Sequence, residues 1–199
     1  MRLPAHLIGL VLLLGAHPAA GQCPDPFYRW TEKTRESLAS LTPVKQSIRT
    51  IIASWDTLDF GKQLEYKCAA RKGRELHVYS VLGWVRRVKT REDDGDWHIE
   101  LTAREHGPVD SCMIAEIPPA ELAANYDQAR TDLKNRVAWD SNGDVAQPVR
   151  LRFIGAAFFD GEHRGGATRR NETDTNHGRC NSSARALWEL HPVYWVKQP

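Results

Sequence analysis

Leu76-His77-Val78-Tyr79-Ser80-Val81-Leu82-Gly83-Trp84-Val85-Arg86-Arg87-Val88 is the stretch whose reading decides the fold. Leu76, Val78, Leu82 and Trp84 fall on one parity, the spacing with which a strand presents one face. A charged turn follows at Arg91, Glu92, Asp93, Asp94 and Gly95. Beyond it, Trp97, Ile99 and Leu101 alternate with His98, Glu100 and Thr102, which predicts a half-buried strand.

The same period continues toward the C-terminus. Cys112 to Ile117 reads as a third strand, which Pro118 and Pro119 stop. Leu122, Tyr126, Ala129 and Leu133 then recur at helical spacing and give one apolar helix face. Asp140, Ser141, Asn142 and Gly143 form a turn. Val149, Leu151 and Phe153 alternate with Arg150 and Arg152 in a fourth strand that runs to Phe159. A Gly-, Arg- and Asn-rich loop covers 161–185, and Leu187 to Val196 is the last strand. The expected class is mainly β with helices (α+β). Five strands with a helix between the third and fourth match the order of the oligonucleotide/oligosaccharide-binding (OB) barrel, with a plain antiparallel sandwich as the competing fold. This barrel domain spans 74–199. Residues 22–73 form a helical extension, in which Leu38, Leu41, Val44, Ile48, Ile51, Ile52 and Trp55 recur at helical spacings and Pro43 splits the segment in two.

Residues 1–21 have the three parts of a secretory signal: Arg2, the apolar run Leu7 to Leu14, and the small residues Ala19, Ala20 and Gly21. The run is shorter than the ~20 residues a membrane span needs, so the expected mature chain is secreted or periplasmic and has no transmembrane segment. Four cysteines, Cys23, Cys68, Cys112 and Cys180, follow the signal. An even count in an exported chain favours two disulfides, and three pairings are open. The formal net charge of +2 includes Arg2, so global charge does not select a strongly acidic partner.

Four phrases carry a resemblance. They are Asp94-Gly95-Asp96-Trp97-His98-Ile99-Glu100-Leu101, Met113-Ile114-Ala115-Glu116-Ile117-Pro118, Phe158-Phe159-Asp160 with His163, and Trp188-Glu189-Leu190-His191-Pro192-Val193-Tyr194. In this order, over roughly residues 75–197, they resemble a family of uncharacterised secreted bacterial proteins with an OB-fold-like domain. The resemblance implies fold and compartment and assigns no catalytic residue.

Two groups of side chains are candidates for chemistry. Asp160, Glu162, His163, Glu189 and His191 combine carboxylates with imidazoles, a set suited to proton transfer or metal ligation. Glu189 and His191 are two apart, so they share a strand face. The bland alternative is that they latch the last strand by hydrogen bonds. The second group is basic: Arg164, Arg169, Arg170, His177 and Arg179 in the long loop, Arg150 and Arg152 on the fourth strand, and Arg86, Arg87 and Lys89 near the first turn. Such arginines suit phosphates, with Tyr79 or Trp97 stacking on bases. Glu172 and Asp174 dilute the loop's charge.

No metal or cofactor is assigned. The cysteine spacings match no zinc template. Asp140, Asn142 and Asp144 imitate a calcium loop whose twelfth position is Leu151 rather than glutamate. No phosphate loop or nucleophile elbow is present. The leading expectation is therefore a non-enzymatic, extracytoplasmic binding module for an anionic oligomer, either nucleic acid or acidic glycan. The alternatives are a secreted metal-dependent nuclease or phosphodiesterase and a protein-interaction module of the cell envelope.

Overall fold

The computed structural model describes residues 23–58, 67–107, 112–163, 179–180 and 184–199. The signal segment and Arg164, Arg169, Arg170 and His177 lie outside this set. Its elements are α1 (Trp30–Lys33), β1 (Val44–Ser47), α2 (Ile48–Ser54), β2 (Val78–Lys89), β3 (Trp97–Thr102), β4 (Cys112–Ile117), α3 (Ala124–Lys134), β5 (Asp144–Phe159) and β6 (Trp188–Lys197). The fold is mixed α+β, with one six-stranded sheet ordered β1-β2-β3-β4-β6-β5. Because β5 also pairs with β2, the strands β2, β3, β4, β6 and β5 form a ring of pairings. Among the described residues, no helix is long and apolar enough to cross a membrane.

The interior of the ring holds the main apolar core, including Val81, Val85, Ile99, Leu101, Phe153 and Trp188. In β2 the most deeply buried parity is the one opposite to Leu82 and Trp84, which are only half-buried. Gly83 belongs to the buried parity and masks it in the sequence. A Cβ there would stand 3.0 Å from both Ile48 and Leu101. The apolar face of α3 is confirmed at Tyr126, Ala129 and Leu133, whereas Leu122 is exposed in the short 3-10 turn before the helix.

Residues 44–47 were expected to be helical and are instead a strand. Val44 to Ser47 pair in parallel with Tyr79 to Leu82, a stretch of β2 whose other ladder is taken by β5 and which β3 does not reach. An available strand edge outweighs a helical spacing that Pro43 already interrupts. Ser47 then caps α2, accepting a hydrogen bond from the Thr50 amide. β5 begins at Asp144, earlier than the alternation indicated. The extra residues, with Pro148 among them, are absorbed where the β2–β5 register shifts between Val85 and Arg87.

The N-terminal segment is fastened to the sheet by polar contacts. Arg29 donates to both oxygens of Glu75, at 2.7 and 2.9 Å, and to the Ala69 carbonyl. Arg71 donates to the carbonyls of Glu32 and His191, both at 2.6 Å. The disulfides are Cys23–Cys68, which closes this segment on itself, and Cys112–Cys180, which ties β4 to the end of the long loop.

Candidate functional site

The outer face of the ring carries the site. β3 was expected to be half-buried, yet His98, Glu100 and Thr102 are all buried. Antiparallel register sets His98 opposite Glu116, and parallel pairing of Ile114 with Glu189 brings β6 alongside β4. His98, Glu116, Glu189 and His191 therefore converge on one face. The turn before β3 adds Asp96, α1 adds Lys33, and the end of β5 adds Asp160.

His191 is the hub. Its Nδ1 hydrogen bonds to Glu189 Oε1 at 3.0 Å and lies 2.9 Å from Glu116 Oε2. Its Nε2 lies 3.0 Å from Asp96 Oδ2. Glu116 also accepts or shares a proton with His98 Nδ1 at 2.7 Å. Burial opposes charge on His191, but the attraction of Asp96, Glu116 and Glu189 wins and holds its pKa well above the ordinary value. Burial raises the Glu116 carboxyl, and hydrogen bonds from His191 and His98 outweigh it and hold the group well below its usual range. For Asp96 burial prevails over the pull of His191, and its pKa is pushed up to about 6.

A second cluster abuts the first. His163 Nδ1 bonds to Asp160 Oδ2 at 2.7 Å, and that carboxylate raises the His163 pKa to about 9 against the opposing effect of burial. Lys33 Nζ lies 3.7 Å from Asp94 and 4.0 Å from Asp160. Burial works against its charge, and Asp160 followed by Glu116 overcomes it, so its pKa stays above normal.

Both clusters reach an open cleft of about 480 Å³. Buried Lys33, His98, Glu116 and Tyr28 line it together with Glu162, His163, Pro26, Phe27, Lys67, Lys89 and the acids Glu92, Asp93 and Asp94. Five carboxylates thus face three lysines and two imidazoles. Phe27 is exposed and packs edge-on against Trp30, with ring centroids 5.2 Å apart.

Of the expected set, Glu189 and His191 meet directly, Asp160 and His163 meet directly, and Glu162 donates its amide to Asp160 at 3.1 Å. Asp96, His98, Glu116 and Lys33 were not singled out from the sequence. A usable signal existed in Glu116, a lone charge inside the otherwise apolar strand Cys112–Ile117. The described arginines do not join the cleft. Arg179 pairs with Glu100 at 2.7 Å and Asp144 at 3.1 Å, Arg152 donates to Ser80, Arg86 to the carbonyls of Glu105 and Gly107, and Arg87 to Asn142. Arg150 is exposed on β5, away from the cleft lining. Tyr79 is not a stacking platform, because it is buried against Trp55. Trp97 is half-buried, packed against Trp139 and beneath the guanidinium of Arg130. The Asp140 carboxylate is occupied as a turn cap, accepting from the amides of Asn142 and Asp144.

The arrangement combines a carboxylate-oriented imidazole at a cleft floor with a buried acidic reserve, a set able to move protons or hold a cation. No family model matches the chain, and no curated protein matches it.

Proposed function

We propose that this chain is an exported, OB-like binding module whose ligand site is the outer cleft and whose ligand is an oligosaccharide. The ring of five strands and the interposed α3 support the barrel reading, and the two disulfides support an oxidising compartment. The observation that carries the ligand reading is the lining of the cleft. Carboxylates and imidazoles hydrogen bond well to sugar hydroxyls, and exposed Phe27 offers a stacking surface at the rim. A nucleic acid would bring a phosphate per nucleotide against five acids, which disfavours it. Lys33, Lys67 and Lys89 accommodate the sparser charge of an acidic glycan.

The test is calorimetric titration with neutral and acidic oligosaccharides and with single-stranded DNA and RNA. The expected result is glycan binding of weak salt dependence that Phe27→Ala reduces about tenfold, as loss of one stacked ring entails. Exclusive, steeply salt-dependent binding of nucleic acid would overturn the reading, as would no binding at low salt.

A second reading, a metal-dependent phosphodiesterase, is favoured by one observation: Asp96, Glu116 and His191 each present a ligand atom within 4.8 Å of the others. Of the carboxylate and imidazole residues singled out from the sequence, His191 belongs to this set, and His98 adds an imidazole facing the cleft. DNA and RNA left intact in calcium, magnesium and zinc would refute it.

A further inference from the structure

We infer that Asp96, Glu116 and His191 form a binding site for one divalent transition-metal ion of the zinc class, beneath the floor of the cleft. This deepens the second reading above and is independent of the glycan reading. Metal binding without nuclease activity would refute the phosphodiesterase and leave the site standing.

The first observation is the donor set itself. Two carboxylates and an imidazole, all within 4.8 Å of one another, suit zinc, cobalt or manganese rather than calcium, which takes oxygen ligands alone. The second is independent of that proximity. Both oxygens of Asp96 and the Nε2 of His191 are fully buried, and none makes an aligned hydrogen bond. Buried polar atoms are normally satisfied; the His191 ring offsets the charge of Asp96 Oδ2 at 3.0 Å, while Oδ1 keeps lone pairs that a bound cation would fill.

The distance agrees. Asp96 Oδ2 and His191 Nε2 lie 3.0 Å apart without pointing at each other. Two ligands each about 2.1 Å from one ion stand about 3.0 Å apart at right angles and about 3.4 Å apart at the tetrahedral angle, so the observed pair needs little movement to converge on an ion.

The third observation is the outer support. Metal-binding histidines donate their second ring N–H to a carboxylate, which fixes the tautomer and aims the ligand nitrogen. His191 Nδ1 faces Glu189 Oε1 at 3.0 Å and Glu116 Oε2 at 2.9 Å, which leaves Nε2, beside Asp96, as the ligand atom, and Glu116 turns one oxygen to the ion when it binds. Glu116 is held from its other side by His98 and lines the cleft, so it links the ion site to solvent. Glu189 is a positioning residue here and the other three are ligands. The cysteines of the other donor cluster, Cys23, Asp25 and Cys68, are committed to a disulfide and compete for no ion.

The experiment titrates chelator-stripped full-length protein with Zn²⁺, and separately with Ca²⁺ and Mg²⁺, by calorimetry. The expected result is one Zn²⁺ per chain, preferred over both other ions. Asp96→Asn should weaken it at least about a hundredfold, and Glu189→Gln about ten- to a hundredfold. Absence of zinc binding, or binding unchanged in Asp96→Asn, would overturn the inference. Should a variant fail to fold, long-range ¹H–¹⁵N spectra of the wild-type histidine rings decide. A shift of His191 Nε2 on adding Zn²⁺ supports the site, and an unmoved His191 refutes it.

Discussion

At the residue scale, the chemistry is set by which carboxylate each imidazole meets. For His163 the dominant influence is Asp160, which raises its pKa to about 9 from the ordinary 6.5. Such a raised group contributes its stabilisation fully below pH 6.5, and the contribution fades as pH rises through 9. NMR titration of the His163 ring should show a midpoint near 9 in the wild type. In Asp160→Asn the midpoint should fall back toward 6.5, and an unchanged midpoint would contradict the pairing. The sequence displayed half of this site. Glu189 and His191 were visible because strand parity alone puts them on one face. Asp96, His98 and Glu116 were not, because β3 alternates like a half-exposed strand and its polar side is covered by distant groups, His98 by Glu116 and Glu100 by Arg179. Periodicity within a strand reports two faces and does not report what covers them.

At the element scale, four of the five expected barrel strands fall where the alternation put them, and β5 simply starts earlier. The N-terminal segment is where local pattern failed. Its helical spacings from Leu38 to Trp55 contain β1, which forms only because a β2 edge awaits it, and no local signal encodes that edge. What fastens the segment is also long-range: Arg29 reaches Glu75 from 46 residues away, and both side chains are fully buried. Arg29→Met leaves the Glu75 carboxylate buried without its cation and should cost about 3–5 kcal/mol in urea denaturation. Adding Glu75→Gln should recover part of that loss by removing the stranded charge while its single carbonyl oxygen keeps an acceptor for one of the two amides, Lys72 or Phe159, that bond to the carboxylate. If the double variant is as unstable as the sum of the singles, the pair is not coupled.

At the scale of the whole molecule, one disulfide lies within the N-terminal segment and the other joins β4 to Cys180. The bridges join residues separated by 45 and 68 positions, and the chain-entropy account gives about 4 kcal/mol for loops of that length. Cys112→Ser with Cys180→Ser should therefore destabilise the fold by about 2–5 kcal/mol in chemical denaturation, and a change below about 1 kcal/mol would show that β4 and β6 hold their register unaided.

The ring, the N-terminal segment and the two polar clusters support the proposal that the ligand surface is the cleft outside the strands rather than Arg150, Arg152 and Arg179. Amide chemical-shift mapping of the ¹⁵N-labelled chain during titration with an oligosaccharide that binds tests this most directly. The perturbations should gather at Phe27, Lys33, His98, Glu116 and His163. Perturbations centred on Arg150, Arg152 and Arg179, with the cleft silent, would contradict it.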